Sequence, residues 1–338
     1  MSFKFVGYCK KVFRYDIISD FIINSTISET DSNQGLLFLV SPDNLELVTE
    51  RIAMDYFSSL IVQNNRILAI DSKGHGFLLN YSLDIIVEIP ISLKIALTHS
   101  FLDYLPVYRG RIKERVYGIF SLITNTLIWE SGTLKGFELF GDHLFAQSDF
   151  ILYYIEVTSG SLKWEFDFNK KFKIPGRIIL MGVNSNIIYC GIEPSEVIIA
   201  LEITTGKLIW EIKAFPQLYR LGPNGDYLYA ISSGYTKIEA KTGQEVDSYT
   251  NREYFEEVGI FSQRGNYAIT NNHIITTDSS KGVIGAFNTL SHQFDWIHRE
   301  EGVSFPAPNP IIYKKPYLLL QDNKSSLHIF KEDLPIVS

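Results

Sequence analysis

The four tryptophans of this chain, Trp129, Trp164, Trp210 and Trp296, all stand at one position of a repeated pattern. The clearest copy runs from Val197 to Trp210: an apolar stretch, then Ala200, Glu202, Thr205, Gly206, and Trp210 four residues past the glycine. Glu156, Ser159, Gly160 and Trp164 repeat it. Ser121, Thr124, Asn125 and Trp129 repeat it with Asn for Gly, and Ala286, Asn288, Ser291, His292 and Trp296 repeat it more loosely. Glu239, Thr242 and Gly243 keep the turn but put Asp247 where the tryptophan would be. Two weaker copies come earlier. One has Asp84 in the turn and Glu88 at the tryptophan position; the other has Asn44 and Val48. The seven anchors lie about 41 residues apart on average, the length of one four-stranded propeller blade.

The residue types suit that reading. Gly, Asn and Asp accept the positive φ that a tight hairpin turn requires. The flanking segments alternate or run apolar, as strands packed between neighbouring sheets do. Four strands recur per unit. In the fifth unit they are expected at 177–183, 187–191, 197–203 and 208–212, and in the seventh at 255–261, 267–277, 283–287 and 294–297. No stretch shows the 3.6-residue period of a helix, so none is expected. After Trp296 the chain offers three strands, from Ser304 onward, at 316–320 and at 327–330, while Phe3–Tyr8 is a strand without a blade of its own. Pairing it with the last three would remove two exposed sheet edges. The expected fold is therefore all-β: one domain spanning 1–338, a propeller of four-stranded blades closed by the N-terminal strand. The count is eight blades if Val12–Ser28 supplies two strands of the first, and seven otherwise.

Composition narrows the function classes. A net charge of −7 argues against a nucleic-acid binder and suits a basic protein partner. No apolar run approaches the roughly 20 residues of a membrane-spanning helix, and residues 1–11 lack the pattern of an export signal. Two unrelated cysteines, Cys9 and Cys190, suggest thiols in a reducing compartment, hence a cytoplasmic location.

The stretch from Ala200 through Glu202, Thr205, Gly206 and Lys207 to Trp210 resembles the docking motif of the pyrroloquinoline-quinone-like β-propeller family, Ala-x-Asp-x-x-Thr-Gly-Lys-x-x-Trp, with Glu202 for Asp. The resemblance implies that Trp129, Trp164, Trp210 and Trp296, with Gly206, lock one blade onto the next. It carries fold rather than chemistry. Enzymes of that family bring an export signal, adjacent cysteines, a Glu/Asn/Asp metal set and a tryptophan beneath the quinone. Here no cysteines are adjacent and every tryptophan serves docking, so the resemblance implies a non-catalytic member with no cofactor. WD40 propellers are less similar, because no Gly-His and Trp-Asp pair recurs at blade spacing.

Several stretches are candidates for binding a partner. Tyr56 and Phe57, and likewise Tyr254 and Phe255, are aromatics flanked by charges just beyond an outer strand. They read either as protein-binding anchors or as core residues opening the next strand. Arg109, Arg111, Lys113 and Arg115 concentrate four cations in one hairpin, either a grip on phosphate or an acidic partner or a solvated turn. Residues 169–173 form a second basic loop. Asp71–Gly74, Asp278–Gly282 and Asp322–Ser325 recur at equivalent places and read as turn punctuation. The seven histidines, at 75, 99, 143, 273, 292, 298 and 328, show no metal-ligand spacing, and no nucleotide or hydrolase motif appears. The expectation is a cytoplasmic, non-catalytic protein-binding propeller, in a narrower version an immunity protein that neutralises a toxin. A small-molecule or sugar-binding propeller or enzyme using the central channel, and a general interaction scaffold, are the alternatives.

Overall fold

The computed structural model describes residues 1–333 apart from 19, 28–33, 54, 56, 64–65, 91, 97–102, 112–113, 149, 174–175, 261–265 and 307–308. It is an all-β, eight-bladed propeller of four-stranded antiparallel blades. Blade 1 comprises Arg14–Ile18, Phe21–Ile27, Gly35–Val40 and Leu47–Ala53, so the segment that decided between seven and eight does supply two strands. Blade 2 comprises Phe57–Gln63, Arg66–Asp71, Gly76–Leu79 and Ile85–Glu88; blade 3, Lys94–Ile95, Tyr104–Arg109, Val116–Ser121 and Thr126–Ser131. Blade 4 has Lys135–Phe140, His143–Ser148, Ile151–Ile155 and Leu162–Asp167; blade 5, Arg177–Asn184, Ile187–Glu193, Val197–Glu202 and Leu208–Ile212. Blade 6 has Tyr219–Leu221, Tyr227–Ile231, Gly234–Glu239 and Glu245–Thr250; blade 7, Tyr267–Ile269, His273–Thr277, Val283–Asn288 and Gln293–Arg299. Blade 8 takes Ile312–Lys314, Tyr317–Gln321 and Leu327–Glu332, and its fourth strand is Phe3–Cys9, which pairs antiparallel from Phe3 opposite Glu332 to Cys9 opposite Leu327.

Two compact units divide the chain. Met1–Thr26, Phe38–Val48 and Gln217–Ser338 form one, holding blades 6 to 8 and most of blade 1; Ile27–Leu37 and Thr49–Pro216 form the other, holding blades 2 to 5. Within each, the cores lie between successive blades. Phe145 and Leu152 of blade 4 pack with Ile178, Ile188, Cys190 and Ile199 of blade 5. Tyr229 and Tyr235 of blade 6 pack with Ile274 and Phe287 of blade 7. Second and third strands are buried on both faces and read as apolar runs, whereas fourth strands such as Thr126–Ser131 and Gln293–Arg299 alternate exposed and half-buried residues.

One irregularity recurs and explains the repeat. In blades 2 to 8 the pairing of third and fourth strands slips by one residue, a β-bulge. The residue just past the bulge is Val87, Trp129, Trp164, Trp210, Asp247, Trp296 or Gly7 in turn. The extra residue re-aims the next side chain, and that is the tryptophan position.

Four expectations need correction. In blade 1 the left-handed turn residue is Leu45 (φ 59°), and in blade 2 it is Leu83 (φ 62°), rather than Asn44 and Asp84. In blade 2 the docking position falls on Val87, not Glu88, because the turn is one residue shorter than expected; in blade 1 the turn lies one residue later, so that Thr49 rather than Val48 stands four residues past it. Residues 252–258 form a helix where a strand was expected over 255–261, of which 261 lies outside the described residues. Asn251 caps it by accepting from the Tyr254 amide, and Gly259 (φ 83°) ends it. The first strand of blade 7 is then Tyr267–Ile269. A second helix, Phe168–Phe172, is capped by Asp167 and contains most of the expected basic loop. In blade 8 the first strand is Ile312–Lys314, later than the Ser304 start expected.

Candidate functional site

The docking motif resolves into a knob and a hole. Trp129 Nε1 donates to the Val157 carbonyl (2.7 Å), and Trp164 Nε1 to the Ile203 carbonyl (2.5 Å), each in the next blade's turn. The ring lies over the glycine of that turn. A Cβ built on Gly160 would stand 2.8 Å from Trp129, and one on Gly206 2.7 Å from Trp164. Both glycines also have positive φ, 71° and 69°, so two independent constraints exclude a side chain. Trp296 packs differently, edge-on to Phe3 (5.0 Å) and Phe330 (5.6 Å). Trp210 is buried.

The aromatic candidates divide. Phe57 and Phe255 are core residues, 3% and 0% exposed. Phe255 packs against Phe287 and Phe294 from the helix Arg252–Val258. Half-buried Tyr254 uses its hydroxyl to accept from the Phe294 amide (2.9 Å), pinning that helix to the fourth strand. Tyr56 lies outside the described residues, as does Lys113.

The basic hairpin also separates. Arg109 forms a two-pronged bond to Glu130 across the intervening third strand, at 2.6 Å for both contacts, and is exposed. Arg111 is exposed at the turn. Arg115 turns the other way and lies 4.3 Å over the ring of Tyr108, with its Nε buried and without a hydrogen-bond partner among the described residues.

Arg115 borders a cavity of about 710 Å³ in the unit of blades 2 to 5. First strands of four blades contribute to its wall: Ser58, Ser59 and Ile61 in blade 2, Lys94 and Ile95 in blade 3, Phe137 and Glu138 in blade 4, Arg177 in blade 5. The turn after the second strand of blade 2 closes one side. There Asp71, 4% exposed, accepts from the amides of Lys73 and His75 (2.8 Å each) and pairs with His75 Nδ1 (3.0 Å). Asp322 staples the equivalent turn of blade 8, binding the amides of Lys324 and Ser326 and His328 Nε2, and Asp278 binds the amide and hydroxyl of Ser280. These aspartates are turn staples, as their repetition indicated. Lys94 and Arg177 carried no sequence signal, being single charges at the starts of strands; only packing brings them to the same cavity as Arg115.

Each described histidine has a partner: His143 with the Tyr154 hydroxyl, His273 with Asp295, His292 with Asp247, His298 with Glu300, and those at 75 and 328 as above. Burial lowers His143 below the ordinary imidazole range. Among the described residues no three His, Cys, Asp or Glu side chains gather as metal ligands would. Burial pushes the thiols of Cys9 and Cys190 upward.

No protein-family model matches the chain, and no curated protein matches it. Solved structures do. The computationally designed Ika8 protein superposes with a TM-score of 0.69 at 10% identity, over 95% of this chain and 96% of that one. BamB from Moraxella catarrhalis, a quinoprotein-like propeller, gives 0.64 at 12% identity, over 97% and 99%. The C-terminal WD40 domain of Sif2 gives 0.68 at 9% identity, over 98% and 99%. At such identities the likeness is one of fold, shared across designed, quinoprotein-like and WD40 propellers.

Proposed function

We propose that this chain is a non-catalytic protein-binding propeller of the pyrroloquinoline-quinone-like kind, acting in the cytoplasm. The docking geometry supports the family reading, since Trp129 and Trp164 each cover the next blade's glycine as the motif implies. The observation that carries the binding reading is on the fourth strands. At the bulge or just before it, six of the seven bulged blades expose a large apolar side chain, Ile85 and Ile86, Ile128, Leu162, Ile209, Val246 and Phe5, and the fourth strand of blade 1 exposes Leu47 and Val48. An edge strand is ordinarily blunted by charge at such places, because bare apolar edges recruit other chains. Ile86 at 53% and Ile209 at 44% exposure keep the opposite character, which suits surfaces that another protein covers.

The experiment is affinity purification of the full chain from its source cells, beside a variant carrying Ile86→Lys, Ile128→Lys and Ile209→Lys. One protein co-purifying in fixed ratio with the first and lost from the second is expected, with unchanged thermal unfolding. A chain that purifies alone, or a variant that keeps its partner, overturns the reading. The immunity form adds a further condition: a one-to-one complex whose partner is toxic when expressed without this chain.

A further inference from the structure

The cavity in the unit of blades 2 to 5 gathers cations whose neighbouring carboxylates are already engaged. Asp71 is held by its own turn and by His75. Glu138 accepts from Gln147 Nε2 at 2.8 Å. Lys73 is paired with Asp55 at 2.9 Å. Lys94, Arg115 and Arg177 line the same space and have no carboxylate within ion-pair distance among the described residues. Two of them have a neighbour that positions the side chain, while Arg177 is exposed. The stem of Lys94 lies along Gly74, whose missing Cβ would stand 3.2 Å from the lysine's Cδ. Gly74 in turn sits at φ 87° in the turn that Asp71 staples. The Arg115 guanidinium sits over the Tyr108 ring, 4.3 Å from its centroid, and its buried Nε–H has no hydrogen-bond partner among the described residues. A buried donor left unmet costs about 1–3 kcal/mol.

The geometry points to this cavity as a binding site for a small, multiply charged oxyanion, a phosphorylated or polycarboxylate molecule, with Arg115 as its central ligand and Lys94 and Arg177 beside it. Three observations carry this. The guanidinium presents a planar fork of donors that matches phosphate or carboxylate oxygens. Cations gathered in a concave site of a chain whose net charge is −7 create a local field opposite to that of the whole molecule. The volume, about 710 Å³, is that of a small-molecule site, and Phe137 and Tyr117 in its wall are buried, at 1% and 9% exposure.

The test is calorimetric titration of the full chain with sodium pyrophosphate and, separately, with citrate, which distinguishes phosphate from carboxylate chemistry. Arg115→Gln, Lys94→Gln and a control, Arg109→Gln, are run in parallel, with thermal unfolding of each. Saturable binding of either anion is expected, weakened about tenfold or more by loss of Arg115 or Lys94, weakened also by raising salt from about 50 to 200 mM, and unchanged in the control, whose arginine is committed to Glu130. Should the Arg115 variant not fold, the exposed Lys94 decides. No binding of either anion at about 10 mM overturns the proposal, given that cellular metabolites bind at or below that range. So does an equal loss in the Arg109 control. Binding of a hexaglutamate peptide with neither small anion bound replaces it with a peptide-docking groove. The fourth-strand substitutions lie outside this cavity, so failure here and failure of the protein-binding reading are told apart.

Discussion

The two units solve one packing problem with different chemistry. Among blades 2 to 5, a tryptophan past the bulge covers a glycine in the next turn, at Trp129 over Gly160 and Trp164 over Gly206. In the other unit blade 7 keeps Trp296, but two junctions refill the same positions as pairs. Blade 6 has Asp247 in place of tryptophan, and blade 7 has His292 (φ 56°) in place of glycine; the two meet at 3.1 Å, with the imidazole stacked on Tyr249. Between blades 8 and 1 the shapes are exchanged. Gly7 stands at the tryptophan position and Leu45 at the glycine position, and a Cβ on Gly7 would lie 2.6 Å from Leu45 Cδ1. The bulge is kept in every one of these blades. What the fold requires at a junction is therefore a re-aimed side chain and a complementary partner, and not a particular residue.

Substitutions at these junctions separate the contribution of the knob from that of the hole. Trp210→Ala is expected to cost about 3–5 kcal/mol by chemical denaturation, the range for a large buried side chain cut to alanine; a cost under about 1 kcal/mol would deny it a wedge role. Gly206→Ala should cost about 2–4 kcal/mol, combining a left-handed backbone with overlap on the Trp164 ring. In a Trp164→Ala background only the backbone part should remain. A double-mutant cycle with coupling near zero would show that ring and glycine are independent. The exchanged junction makes a sharper demand. Gly7→Trp and Leu45→Gly together should destabilise less than the sum of the two singles by about 1 kcal/mol, since the pair recreates the knob and hole of blades 3 to 5; additive effects would refute the equivalence.

The smallest effect concerns the bulged residue itself. It is Ile86, Ile128, Lys163 or Ile209 in one unit, but Asp295 in blade 7. Burial pushes the Asp295 carboxyl upward, yet hydrogen bonds from His273, Asn288 and the Met1 amino group outweigh it and hold the group at about 2, below its ordinary 3.8. A carboxyl depressed on folding stabilises above its ordinary value and loses that contribution as pH falls through the folded one. Acid unfolding between roughly pH 4 and pH 2 should therefore be shallower in Asp295→Asn, and superimposable curves would place the network's importance elsewhere.

Much of the fold is legible in residues 197–210 and their echoes, because a hairpin turn needs positive φ and a wedge needs an aromatic, and both leave marks in sequence. Leu45 and Leu83 hid the turn register, since leucine rarely takes a left-handed backbone and gives no sign of doing so. The helix at 252–258 had its signals, Asn251 before it and Gly259 after, but seven residues are too few for a period to show. The candidate site was less legible. Four cations in one hairpin looked alike, and the structure sent Arg109 to Glu130, left Arg111 in solvent and turned Arg115 inward.

By itself, the sequence determined the repeat, the four-stranded unit and the completion of the last blade by a strand from Phe3 to Tyr8, and narrowed the count to seven or eight, since these follow from local backbone geometry and the burial of alternate faces; the structure made it eight. Tertiary structure alone decided which residue at each junction is knob or hole, that Phe57 and Phe255 are core rather than surface, and that Lys94, Arg115 and Arg177 share one cavity. Those outcomes depend on residues tens of positions apart coming within a few ångströms, and the distance between blades is set by packing that no single segment encodes.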